Sequence, residues 1–128
     1  MSATTSGARL RVQVVAGKIE DFVDGKFIIV QAGQHSVGVI RLGSGEWRAV
    51  RNWCPHKGAP ICRGIVGGTW PPSAPGELRF ERDGEVLICP WHGFEFDLEN
   101  GRELFREQPT KLRFFPVEVR DGTVYVTV

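Results

Sequence analysis

Three dipeptides, Asp83–Gly84, Asn100–Gly101 and Asp121–Gly122, each stand between short apolar runs in a chain of 128 residues. Asx-Gly pairs favour the positive φ values that a tight reversal needs, so each reads as a hairpin turn. Glu77–Arg82 and Glu85–Cys89 flank the first. Phe94–Glu103 runs through the second. Leu112–Arg120 and Thr123–Val128 flank the third. The first half has the same rhythm. Leu10–Val15, Lys26–Gln31, His35–Leu42 and Glu46–Arg51 read as strands, with Ala32–Gln34 and Gly43–Gly45 as hairpin loops. Ile19–Gly25 has room for one helical turn, ended by Gly25. No long helical period competes, and no repeat is evident. The expectation is an all-β chain of stacked antiparallel sheets, sandwich-like or barrel-like.

Residues 1–128 read as a single domain, with 1–8 a flexible tail. Gly67–Glu77 breaks the strand rhythm: it is rich in Gly and Pro, and Pro71–Pro72 does not suit a central strand. It reads as an exposed loop, with Trp70 packing it down. Net charge is +1, which gives no electrostatic footprint for nucleic acid or an anionic membrane. No apolar run approaches the length of a membrane span. The start of the chain lacks the apolar core of a secretory signal, and Leu10 separates Arg9 from Arg11, so there is no twin-arginine pair. A cytoplasmic location is therefore expected.

Three Cys and three His are too few for a disulfide framework, and four of the six form two closely spaced Cys/His pairs. "CPHKGAPIC" holds Cys54 and His56. "CPWHG" holds Cys89 and His92. Turn formers surround both pairs: Pro55, Gly58 and Pro60, then Pro90 and Gly93. They let the backbone curl so that both side chains of a pair aim inward and N–H groups turn toward a charged sulfur centre. Two Cys and two His suit a structural zinc. They equally suit a [2Fe–2S] cluster with two Cys on one iron and two His on the other. Spacing alone leaves both open.

The flanking residues favour the second. "CPHKGAPIC" with "CPWHGFEFDLENG" resembles the two cluster-binding loops of the Rieske [2Fe–2S] family, and more narrowly the Rieske-type ferredoxins and the N-terminal Rieske domains of aromatic-ring-hydroxylating oxygenases. The resemblance is strong over Ala49–Gly101. It implies a Rieske-type fold with two cluster-binding loops and one [2Fe–2S] cluster. Cys54 and Cys89 would hold the inner iron as thiolates. His56 and His92 would hold the outer iron through one ring nitrogen each, with the other nitrogens facing the surface.

The departures from the high-potential Rieske proteins of cytochrome complexes are informative. Ala59 and Trp91 stand where those proteins carry the two Cys of an inter-loop disulfide. Phe94 and Phe96 lie in the stretch that supplies their Ser and Tyr hydroxyls. Without those donors the reduced cluster is less stabilised, so the potential is expected near the low end of the Rieske range of about −150 to +300 mV. The 32 residues Lys57–Ile88 between His56 and Cys89 are more than in compact Rieske ferredoxins; the excess is the Pro-rich loop.

The remaining candidates read as structural. Cys62 is a packing thiol rather than a redox switch, and His35 a surface residue. Trp91 suits shielding the site or touching a partner. Lys57 is an ordinary surface charge. Glu95, Asp97 and Glu99 alternate on a strand and read as a solvated face. An oxygenase needs a second iron on two His and a carboxylate, and two of the three His are already engaged. The resemblance therefore implies a soluble one-electron carrier with no oxygen-activating site, taking electrons from a flavin-dependent reductase and passing them to a terminal oxygenase. The alternatives are a small Rieske subunit of a larger oxidoreductase of the nitrite reductase type, and a zinc-stabilised β interaction module. A redox sensor ranks last, because no effector segment is visible.

Overall fold

The computed structural model describes residues 11–56, 58–69, 81–91, 93–105 and 110–128. Among these residues ten strands follow in order: β1 Gln13–Lys18, β2 Ile28–Ala32, β3 His35–Arg41, β4 Trp47–Arg51, β5 Ile65–Thr69, β6 Glu81–Ile88, β7 Glu95–Asp97, β8 Phe114–Phe115, β9 Val117–Arg120 and β10 Thr123–Thr127. Single 3-10 turns occupy Ile19–Asp21 and Ile61–Arg63. The strands form three sheets, ordered β1-β10-β9, β2-β3-β4-β8 and β5-β6-β7, and every pairing is antiparallel. The fold is all-β, as the turn pattern implies. No helix among the described residues is long and apolar enough to cross a membrane.

The four-stranded sheet is the middle layer, and β3 shows why. Four consecutive residues of β3, Val37 to Ile40, are buried. Val37 and Val39 pack with Val124, Val126 and Phe115 on the side of the terminal strands. Ile40 faces the other way, into a core with Leu87, Phe96 and Leu98. A strand with apolar partners on both faces has no polar side to show. In β4 the same division puts Ala49 in one core and Val50 in the other.

Two positions depend on glycine. Gly38 lies in β3 beneath Cys62 of the second 3-10 turn. A Cβ there would overlap the Cys62 sulfur and lie 2.7 Å from the Cys62 Cβ and 2.8 Å from Phe27. At the β9–β10 turn, Arg120 pairs with Thr123, leaving Asp121 and Gly122 at φ 49° and 76°. Both φ values are positive, the type I′ geometry that matches strand twist.

Four expectations are corrected. Asp83–Gly84 does not reverse the chain: β6 runs through it, and Gly84 at φ 83° serves a bulge. The register passes from Gly67↔Val86 to Thr69↔Glu81, two residues on β5 against five on β6. The loop expected from Gly67 starts later, since Gly67–Thr69 belong to β5; its remainder with Trp70, and the tail 1–8, lie outside the described residues. The helical turn closes at Phe22, whose N–H donates to Ile19 O, and Gly25 at φ 78° makes a separate bend. The run Leu112–Arg120 is two strands: Pro116 has no N–H to donate, and there the chain passes from β8 in the middle sheet to β9 in the terminal sheet.

Candidate metal centre

Cys54 follows β4 and Cys89 follows β6. The two loops share one construction. The Cys54 N–H donates to Ala59 O at 2.8 Å, and the Cys89 N–H donates to Phe94 O at 2.8 Å, each closing onto the residue five further on. Each loop bends through a glycine at the fourth position after its Cys, Gly58 at φ 74° and Gly93 at φ 70°. Thus the sequence pattern C-P-x-x-G, read twice, gives two similar tabs of backbone.

The tabs bring Cys54 and Cys89 together in the core between the middle sheet and β5-β6-β7. Both thiols are buried and neither is in a disulfide. Burial pushes the Cys89 thiol up to about 11; the Trp91 backbone N–H pulls the other way, and the neighbouring Cys54 thiol adds to the rise. Two adjacent buried thiols cannot both ionise in an apolar core without a compensating cation. This donor set therefore fits a thiolate-binding metal such as ferric iron, and the Trp91 N–H is a donor already aimed at sulfur.

His56 joins the same locality. Its ring stacks on Phe94, with centroids 3.9 Å apart and planes inclined by 22°, and lies 6.3 Å from Phe96. Its Nε2 does not face the surface as expected: it lies 2.9 Å from Oε1 of Glu103, whose side chain is 1% exposed. Thr110 holds the same oxygen, with its hydroxyl at 3.1 Å and its N–H at 3.3 Å. Sequence reasoning missed Glu103 and Thr110. His92 and Lys57 lie outside the described residues.

Cys62 is buried with its sulfur 3.6 Å from Val50 O, and desolvation raises the thiol to about 12. That is a packing thiol. His35 is half-buried rather than on the surface, its ring 5.4 Å from Phe115. Trp91 is about half exposed beside the site. The acidic strand is not a solvated face: Asp97 is buried, its Oδ1 accepting from the Glu99 N–H at 2.8 Å, and only Glu99 of the three is exposed.

Three antiparallel sheets among the described residues, with paired glycine-bent tabs that bury two unbridged thiols, define a β domain whose adjacent thiols suit a thiolate-binding metal. The comparisons with known proteins agree. The Rieske [2Fe–2S] domain matches residues 12–116, and the chain belongs to this family, whose domain implies a [2Fe–2S] cluster. The chain is 31% identical over 84 residues to the 3-phenylpropionate/cinnamic acid dioxygenase ferredoxin subunit of Photorhabdus laumondii, covering 66% of each chain. It is 27% identical over 115 residues to human apoptosis-inducing factor 3, covering 90% of this chain but only 16% of that one. Among solved structures it resembles a chain of the complex of reduced oxygenase and oxidized ferredoxin in carbazole 1,9a-dioxygenase, with TM-score 0.68 and 26% identity over 90% of this chain and 92% of that one.

Proposed function

We propose that this chain is a one-electron carrier whose cluster is held by Cys54, His56, Cys89 and His92, and that it passes electrons from a flavin-dependent reductase to a terminal oxygenase in the cytoplasm. The observation that carries the reading is the pair of matching tabs, which bury Cys54 and Cys89 side by side within a Rieske domain. The ferredoxin subunit and the oxygenase–ferredoxin complex support the choice of partners. The cluster, when bound, accepts and releases one electron. The residues of the chain set the conditions. Cys54 and Cys89 supply thiolate charge in the core. Phe94 covers one face of the His56 ring and keeps water from it. The exposed indole of Trp91, two residues from the Cys89 ligand, gives the second tab an apolar surface beside the cluster.

The test is the purified protein. It is expected to be red-brown, to hold iron and sulfide, and when reduced to give an EPR signal with average g below 2. His56→Cys and His92→Cys should disturb that signal, and His35→Ala should leave it intact. Reduced protein should also restore turnover when added to a flavin reductase and a Rieske oxygenase. A colourless protein with stoichiometric zinc would overturn the electron-transfer reading and favour the zinc-stabilised β module. A red protein that never couples such a pair would remove the proposed partners while leaving the cluster.

A further inference from the structure

The hydrogen bond between His56 and Glu103 is not accounted for by holding iron. Glu103 is 47 residues along the chain from His56 and reaches it only through the hairpin that follows β7, where Glu103 pairs with Phe96. Burying a carboxyl is costly unless its acceptors are used. Here one oxygen collects three contacts: His56 Nε2, the Thr110 hydroxyl and the Thr110 N–H. The Thr110 hydroxyl also lies 3.4 Å from Nε2. Glu103 is itself held at its backbone, its N–H donating to Thr110 O at 3.0 Å, and the Leu104 N–H donates to Glu95 O at 2.9 Å. The backbone on either side of the carboxyl is therefore held, its Oε1 is held by Thr110, and the His56 ring touches both it and Phe94.

We propose that Glu103 is a positioning residue that holds His56 with Nε2–H on the carboxylate and Nδ1 toward iron, and lowers the reduction potential of the centre. This rests on His56 being an iron ligand. A carboxylate accepting from the far nitrogen of a ligating imidazole fixes its tautomer and makes the near nitrogen a stronger donor. A stronger donor, with a negative charge behind it, stabilises ferric over ferrous iron. The two donors from Thr110 compete with His56 for the same oxygen, and so moderate the pull. The absence of hydroxyl donors at Phe94 and Phe96 already implies a low potential. The geometry adds an acceptor that is present.

The experiment compares cluster-loaded wild type, Glu103→Gln, Thr110→Val and Glu99→Gln. Glutamine keeps an acceptor oxygen for Nε2–H but removes the charge. Midpoint potentials come from mediated redox titration, and imidazole nitrogen couplings from pulsed EPR of the reduced protein. Glu103→Gln should raise the midpoint by the equivalent of about tenfold in ferric over ferrous stability, which is 59 mV for one electron, and change the couplings of one imidazole only. Thr110→Val removes the hydroxyl donor and keeps the N–H, so the carboxylate should pull harder on His56 and the midpoint should fall. Glu99→Gln, exposed on the hairpin turn, should change neither. Loaded Glu103→Gln with wild-type potential and couplings overturns the proposal. Should that variant fail to load, Thr110→Val decides: a fall supports the proposal and an unchanged potential overturns it. Absence of a Rieske signal in the wild type itself would sink the reading of the centre instead, so the two failures are distinguishable.

Discussion

Replacing Gly38 with Ala tests the packing of the middle sheet through one close approach. The added methyl would overlap the Cys62 sulfur and sit 2.7 and 2.8 Å from two carbons, where carbon atoms prefer about 3.5–4.0 Å. Gly38 is paired on both sides, with Ile29 and Val50, so β3 cannot retreat. Overpacking of this kind costs about 1–3 kcal/mol, offset by about 0.5–1 kcal/mol from replacing a strand glycine. Cys62→Ala alone removes one buried heavy atom, a loss of about 1 kcal/mol by comparison with single-methyl deletions. In the double variant the overlap with sulfur, the tightest of the three contacts, is gone, and only the approaches to the residue 62 Cβ and to Phe27 remain. The two changes together should therefore cost at least about 1 kcal/mol less than their sum, beyond the ~0.5 kcal/mol within which independent sites add. Unfolding with a bound cluster is not two-state, so the assay is the thermal midpoint of loaded protein at a fixed scan rate. About 3–5 °C per kcal/mol is expected at this chain length. Additive losses in the double variant would refute the placement of Cys62 across Gly38.

The same thiol should make stability depend on alkaline pH. Folded, Cys62 keeps its proton up to about 12; unfolded, it releases it near 9.0. Between those values the unfolded state binds fewer protons, so stability should fall as pH rises, by at most about 1.4 kcal/mol per pH unit. Melting at pH 8 to 10.5 should show a slope that Cys62→Ala reduces; an equal slope in both would show that other groups carry it. At the β9–β10 turn, Gly122→Ala at φ 76° should cost about 1 kcal/mol without moving the midpoint potential. Thermal melts and redox titration check the two halves of that statement.

Where local chemistry decides, the sequence was legible. Asp121–Gly122 specifies its own turn. The unbroken apolar stretch Val37–Ile40 marks the strand that lies between two cores. The tabs could be read because each carries its Cys, Pro and Gly within five residues. Asp83–Gly84 was misread for a physical reason: a hairpin turn and a bulge both need a positive φ, and only the pairing partner distinguishes them. Asp97 was misread because its burial follows from capping the turn rather than from strand alternation. Glu103 was invisible as a neighbour of His56, since that contact spans three elements. One signal was available. Whether the Asn100–Gly101 hairpin closes with two loop residues or with the observed four, Glu103 falls opposite Leu98 or Phe96, both apolar and both buried. A carboxyl facing inward beside a cluster loop asks for a partner.

The first and last strands carry a different consequence. Val12 and Val128 exchange both backbone hydrogen bonds, at 3.2 and 2.9 Å, and β1 lies along β10. The first and last described strands therefore meet in one place, on the sheet whose core holds neither Cys54 nor Cys89. A domain with adjacent ends is a cassette: it can be spliced into a longer polypeptide at a single seam, the joint lying away from the redox site.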